Sequence, residues 1–100
     1  MDEREREILS QVLEILKKRL SPERIILFGS RSKGTARTTS DFDFAVESSC
    51  PAKSVERELM EEIEQAAGLY SVDIIYLNEV DSKFRDLVNQ TGKVVYERGA

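Results

Sequence analysis

Apolar residues recur at the spacing of an α-helix in three stretches of the chain. The pattern predicts helices over residues 3–20, 53–67 and 80–91. In the first, the apolar stripe consists of Ile8, Val12, Leu16 and Leu20. The last should pack through Phe84, Leu87 and Val88. Between these stretches the apolar spacing changes to that of β-strands.

Four shorter runs are rich in β-branched and aromatic residues, which is typical of strands. They cover residues 25–28, 41–46, 70–77 and 93–97. Asp73 is a charge inside the otherwise apolar third run, and we expect it to be buried. A buried carboxylate is costly unless it is paired or binds a metal. The alternative is a strand-end aspartate that faces water.

Composition limits the class of protein. One hundred residues with 40% apolar content suit a single domain, residues 1–100, with an ordinary core. No apolar run approaches the roughly 20 residues that span a bilayer, and no secretory signal pattern opens the chain. We therefore expect a cytoplasmic protein without a membrane partner.

The residue types that are scarce exclude several chemistries. The chain has no histidine, which argues against zinc hydrolase, histidine-base and serine-triad mechanisms. Cys50 is the single cysteine, which excludes an internal disulfide and a cysteine metal cluster. The net charge of −4 argues against direct binding of nucleic acid.

A glycine and a serine follow the first predicted strand and open a basic connector. Gly29 allows a sharp turn that brings backbone N–H groups to the strand end, and Ser30 adds a hydroxyl. Arg31, Lys33 and Arg37 add positive charge. Such a loop suits a phosphate group, although a solvated surface loop is the alternative.

Two aspartates one residue apart open the second predicted strand. Alternate residues of a strand point to one face, so Asp41 and Asp43 should point together, with Cβ atoms about 6.6 Å apart. Paired carboxylates are suitable ligands for Mg²⁺, which also binds substrate phosphates. Alone, the pair would more simply be the polar face of an exposed strand. Gly29 ends one strand whereas Asp41 begins the next, so these strands must be antiparallel for the two to meet. We therefore predict a mixed sheet.

The spacing Gly29-Ser30, ten residues, then Asp41-x-Asp43 resembles the signature of the polymerase-β-like nucleotidyltransferases. Residues 24–97 look like the minimal nucleotidyltransferases, the antitoxin half of HEPN/MNT toxin–antitoxin pairs. Relatives often have Ala and Arg where this chain has Ser32 and Lys33. The resemblance implies an α/β (α+β) fold with a small mixed sheet flanked by helices.

The resemblance also implies a site and a reaction. Asp41, Asp43 and Asp73 would be the catalytic residues and would hold Mg²⁺, with two ions in the presence of nucleotide. The nucleotide would be bound by Gly29, Ser30, Arg31 and Ser40. The reaction would transfer AMP from ATP to an acceptor hydroxyl and release pyrophosphate.

The predicted catalytic core uses almost the whole chain, so we expect another chain to complete the acceptor site. The resemblance implies that the partner is a cognate HEPN ribonuclease toxin, adenylylated on a tyrosine and so silenced. One alternative is an antitoxin that neutralises the toxin by binding alone. The other is a homo-oligomeric nucleotidyltransferase whose small-molecule acceptor binds between chains.

Overall fold

Three helices and four strands alternate along the parts of the chain that the computed structural model describes, residues 2–29 and 42–99. The helices are α1 (Glu3–Leu20), α2 (Lys53–Ala67) and α3 (Ser82–Thr91). The strands are β1 (Arg24–Phe28), β2 (Phe42–Val46), β3 (Val72–Tyr76) and β4 (Lys93–Glu97). A short 3₁₀ turn, Leu77–Glu79, joins β3 to the last helix.

The four strands form one mixed sheet in the order β3-β2-β1-β4. Strand β1 pairs antiparallel with both β2 and β4, whereas β2 and β3 run parallel. The register places Phe28 opposite Asp43, and Asp43 beside Asp73. The antiparallel pairing of the first two strands and the mixed sheet are therefore confirmed.

One face of the sheet is covered by α1 and α2. The buried side chains of this layer come from alternate strand positions, as expected for residues that share one face. They are Ile8, Val12, Leu16, Ile25, Leu27, Phe42, Phe44, Val46, Leu59, Ile63 and Ala67. Arg19 links the two helices through its guanidinium, which donates hydrogen bonds to the Glu58 and Glu62 carboxylates.

The other face is covered by α3 over a smaller core of Ile26, Ala45, Leu77 and Val88. The Phe28 and Phe84 rings meet edge to face, with centroids 6.1 Å apart. Near the start of β1, the Arg24 guanidinium donates to both oxygens of Glu47 and to Asn89 of α3.

The structure corrects three details of the pattern-based prediction. The third strand is shorter than residues 70–77, because Leu77 already belongs to the 3₁₀ turn. The last helix begins at Ser82, where Asp81 caps it by accepting a hydrogen bond from the Phe84 N–H at 2.8 Å. Leu87 does not pack into the core, since 53% of its surface is exposed. A single short helix covers this face, so of the predicted apolar set Val88 is buried, Phe84 is half-buried and Leu87 is exposed.

None of the helices in the described ranges combines the length and the apolar character required to cross a lipid bilayer.

Candidate active site

The site begins where β1 ends, because the backbone at Gly29 lies against a side chain of β2. Gly29 has a φ of +75°, in the left-handed region that favours glycine. A Cβ atom at this position would lie 2.6 Å from Oδ2 of Asp43. Only glycine allows the strand end and the carboxylate to approach this closely.

Two carboxylates extend the site across the next two strands. Asp43 and Asp73 are register partners in the parallel pair of β2 and β3, so their side chains leave the same face. Neighbouring strands lie about 4.8 Å apart, which places the two carboxylates side by side. This is also the face that α3 covers, since Ala45 and Ile75 lie two residues further along each strand and contact its core. Gly29, Asp43 and Asp73 therefore lie at the same end of three adjacent strands.

The expectation that Asp73 is buried is wrong. Its side chain is exposed, whereas that of Asp43 is half-buried. Strand β3 lies at the edge of the sheet, and α3 contacts its opposite end, where the Arg85 guanidinium donates to the Leu77 carbonyl at 2.8 Å. The start of β3 is consequently left open to solvent, and Asp73 needs no buried partner.

The family model described as polymerase beta, nucleotidyltransferase, matches residues 10–100. The chain belongs to this nucleotidyltransferase family. Its predicted fold class is likewise confirmed. A search of curated proteins finds no match.

Several solved structures are also similar to this chain. A toxin–antitoxin complex with AMP-PNP is 25% identical over 90% of this chain and 73% of the other, with a TM-score of 0.75. A proposed minimal nucleotidyltransferase is 26% identical over 92% of this chain and 94% of its own, with a TM-score of 0.74. The complex of tri-AMPylated Shewanella oneidensis HEPN toxin with MNT antitoxin is 21% identical over 94% of this chain and 72% of the other, at a TM-score of 0.69, and shows the fold alone.

Several predicted residues of this nucleotidyltransferase lie outside the described ranges. They are Ser30, Arg31, Lys33, Arg37, Ser40 and Asp41. The assignment of Asp41 to metal binding stays a prediction. The assignment of the other five residues to the binding of the nucleotide and its phosphates also stays a prediction. Of the predicted site residues that are described, Gly29, Asp43 and Asp73 are brought together.

The described carboxylates suit a hard divalent cation. Asp43 and Asp73 offer oxygen ligands on one face of neighbouring strands, and Mg²⁺ in proteins prefers oxygen ligands and completes its shell with water and phosphate. Within residues 2–29 and 42–99, no three His, Cys, Asp or Glu side chains group closely enough to hold a metal by themselves. The chemistry of the pair fits Mg²⁺ shared with a nucleotide, and Asp41 is the predicted further ligand.

Sequence reasoning missed a cleft beside Asp73. It has a volume of about 420 Å³ and is lined by Glu64, Ala67, Gly68, Tyr70, Ser71, Val72 and Asp73. The predicted helix over residues 53–67 and the predicted strand over residues 70–77 leave only a short turn between them, and neither pattern predicts a concave surface.

A second group of ionisable residues lies at the opposite end of β3 and takes no part in the site. Burial raises the pKa of the Tyr76 phenol, and the nearby Glu56 carboxylate raises it further. In the described ranges the buried Tyr76 hydroxyl has no hydrogen-bond partner. Desolvation, followed by the Glu56 carboxylate 3.5 Å away, raises the pKa of the Cys50 thiol. Cys50 is therefore held as a thiol rather than activated as a nucleophile.

Proposed function

We propose that this nucleotidyltransferase transfers AMP from ATP to a tyrosine hydroxyl of a cognate HEPN-domain ribonuclease toxin and so acts as its antitoxin. The observation that carries the proposal is that Gly29, Asp43 and Asp73 lie together at the same end of three adjacent strands. The similarity to a toxin–antitoxin complex with AMP-PNP supports both the donor and the partner class.

We place the donor end of the site at Gly29, where β1 ends. The absence of a side chain at Gly29 lets the backbone approach the Asp43 carboxylate, so a phosphate bound at this turn would lie close to a predicted metal ligand. A loop whose N–H groups face outward favours an anion. Ser30 and Arg31 are the predicted contacts of the terminal phosphates, and Ser40 is a further predicted nucleotide contact.

The carboxylates at the other end of the site would bind the metal ion and accept the proton of the acceptor hydroxyl. Asp43 and Asp73, with Asp41, would hold Mg²⁺. The bound ion would neutralise negative charge on the phosphates. In the transfer step, the acceptor oxygen forms a bond to the α-phosphorus. The bond from that phosphorus to the bridging oxygen breaks, and pyrophosphate leaves with the electron pair. The acceptor proton passes to the Asp73 carboxylate, whose exposure lets it release the proton to water.

Co-expression with the toxin tests the proposal against an antitoxin that acts by binding alone. We expect Asp43→Asn and Asp73→Asn to form the complex but to lose protection, because each removes a charge from the site and preserves side-chain shape. Asp86→Asn, at an exposed aspartate of α3, is the matched control and should protect fully. Full protection by both site variants, with the complex intact in a pull-down, would contradict the catalytic role.

A labelling assay addresses the small-molecule alternative. The protein is incubated with ATP labelled at the α-phosphate, with and without the toxin. The proposal predicts label on the toxin only. Label on a small hydroxyl compound, in the absence of any second protein, would favour the alternative of a homo-oligomeric enzyme.

A further inference from the structure

The two edge strands of the described sheet differ in how they are protected. Strand β4 contains a β-bulge, because its register with β1 shifts between Ile25 and Ile26, and its ends carry Lys93 and Glu97. Bulges and charged residues protect an edge strand against pairing with other chains. Strand β3 pairs with β2 without a register shift, and its single charge is Asp73. Of the two edges, β3 is therefore the one that a further strand can join.

The open side of β3 presents unpaired backbone groups. The Ser71 carbonyl accepts a hydrogen bond from the Phe42 N–H at 2.9 Å, so the backbone groups of Ser71 point towards β2. Because these groups change sides from one residue of a strand to the next, those of Asp73 and Ile75 also point towards β2. In the described ranges no strand pairs with the other side. The residues whose N–H and C=O groups point outward are Val72, Ile74 and Tyr76.

Helix α2 follows this edge on the face of the larger core. Glu64 lines the same cleft as Val72 at one end of β3, and the Glu56 carboxylate lies near the Tyr76 phenol at the other. Between the two glutamates, the half-buried Met60 packs against the core. Eight residues of a helix and four residues of a strand both span about 12–13 Å. The open side of β3 and the flank of α2 therefore form one surface, the edge groove.

The cleft gives the edge groove a charged pocket at its Val72 end. Glu64 is the acidic residue of its wall on this face of the sheet, whereas Asp73 leaves the opposite face. Glu64 is exposed, and it forms no ion pair with any lysine or arginine in residues 2–29 and 42–99. A cleft of about 420 Å³ with such a carboxylate in its wall suits a lysine or arginine side chain.

A second copy of this chain does not fit the edge groove. Antiparallel pairing of two β3 strands about Ile74 would place Val72 opposite Tyr76 of the other copy. Glu64 would then approach Glu56 of the other copy at both ends of the pairing. Like charges placed opposite one another are destabilising, so the groove favours a different chain.

We propose that the edge groove binds an extended segment of a partner protein as an additional strand of the sheet. The backbone of the segment pairs with the outward groups of β3. One of its apolar side chains lies against Met60, and a lysine or arginine two residues away enters the cleft and pairs with Glu64. In this mode of recognition, main-chain hydrogen bonds give affinity and pockets for alternate side chains give specificity. The inference goes beyond the proposed function and does not depend on the transfer of AMP.

Amide hydrogen exchange of the full chain tests the strand addition. The probe is a synthetic heptapeptide of threonines, blocked at both ends, with lysine at its second position and isoleucine at its fourth. Saturating peptide should slow exchange at Val72, Ile74 and Tyr76 about tenfold or more, because each N–H gains a backbone partner. Exchange at Asp73 and Ile75 should change less, since their N–H groups already bond to β2. Equal slowing at all five residues, or none at the three outward ones, would overturn the inference.

Charge reversal tests the pocket. A peptide with glutamate in place of lysine should bind the wild-type chain about fivefold or more weakly. Glu64→Lys should reverse this preference. Glu61→Lys is the matched control and should keep it, because Glu61 is exposed on α2 outside the wall of the cleft and the change in net charge is the same. Equal binding of both peptides by the wild type, or reversal by Glu61→Lys, would contradict the pairing with Glu64.

Sedimentation of the wild-type chain addresses the second copy. We expect a monomer in the absence of other proteins. A dimer that the lysine peptide dissociates would show that two copies pair through this edge, and would overturn the assignment of the groove to a different chain.

Discussion

Substitution of Gly29 by alanine perturbs the site at its closest contact. The new Cβ would lie 2.6 Å from Asp43 Oδ2, whereas ordinary contacts of this kind begin at 3.4 Å. The Asp43 carboxylate or the strand end must therefore move by about 1 Å, a displacement that typically costs about 100-fold in rate. The left-handed backbone adds a penalty of about 1–2 kcal/mol, which lowers the Tm of a domain of this size by roughly 4–16 °C.

The rate of label transfer from ATP and the thermal unfolding midpoint should both be measured for Gly29→Ala. Gly99→Ala is the matched control, because Gly99 has a φ of +79° but no atom lies within 4 Å of its hypothetical Cβ. It carries the backbone penalty without the contact, so its transfer rate should equal that of the wild type. Wild-type transfer by Gly29→Ala would refute the assignment of this approach to the active site.

Three further outcomes are expected. Gly92→Ala should destabilise the fold by about 1–3 kcal/mol in chemical denaturation, because its Cβ would lie 2.4 Å from Cγ2 of Ile26; unchanged stability would contradict this packing. Iodoacetamide should alkylate Cys50 at pH 8 more slowly than an unstructured cysteine peptide, and Glu56→Gln should speed the reaction, since loss of the carboxylate lowers the thiol pKa. Equal alkylation rates in the wild type and in Glu56→Gln would show that the Glu56 carboxylate does not raise the thiol pKa. Mg²⁺ should bind weakly in a titration without ATP and more tightly with it, because phosphates complete its shell; tight binding unaffected by ATP would contradict a shared shell.

The arrangement of the first two strands could be predicted because the chemistry constrains it. Gly29 ends an apolar run and Asp43 lies near the start of another, so only antiparallel strands bring them together. The period of the apolar residues also predicts α1 and α2 with their observed bounds. These features depend on local sequence and on one long-range requirement.

Exposure was harder to predict because it depends on which elements lie side by side. An apolar strand around Asp73 indicates burial, yet β3 is an edge strand whose start is left uncovered. Leu87 follows the helical period of Phe84 and Val88, but one helix of ten residues covers this face incompletely. The cleft beside Asp73 arises where the end of α2 meets the start of β3, which no local pattern encodes.

The most direct test of the account is the fate of the α-phosphate of ATP. The purified protein is incubated with Mg²⁺, α-labelled ATP and the HEPN toxin, and intact mass and peptide mapping locate the label. We expect adenylyl groups on a toxin tyrosine with the wild type, release of pyrophosphate, and neither product with Asp43→Asn. A toxin that is fully inhibited by the wild-type chain while carrying no adenylyl group would contradict the account.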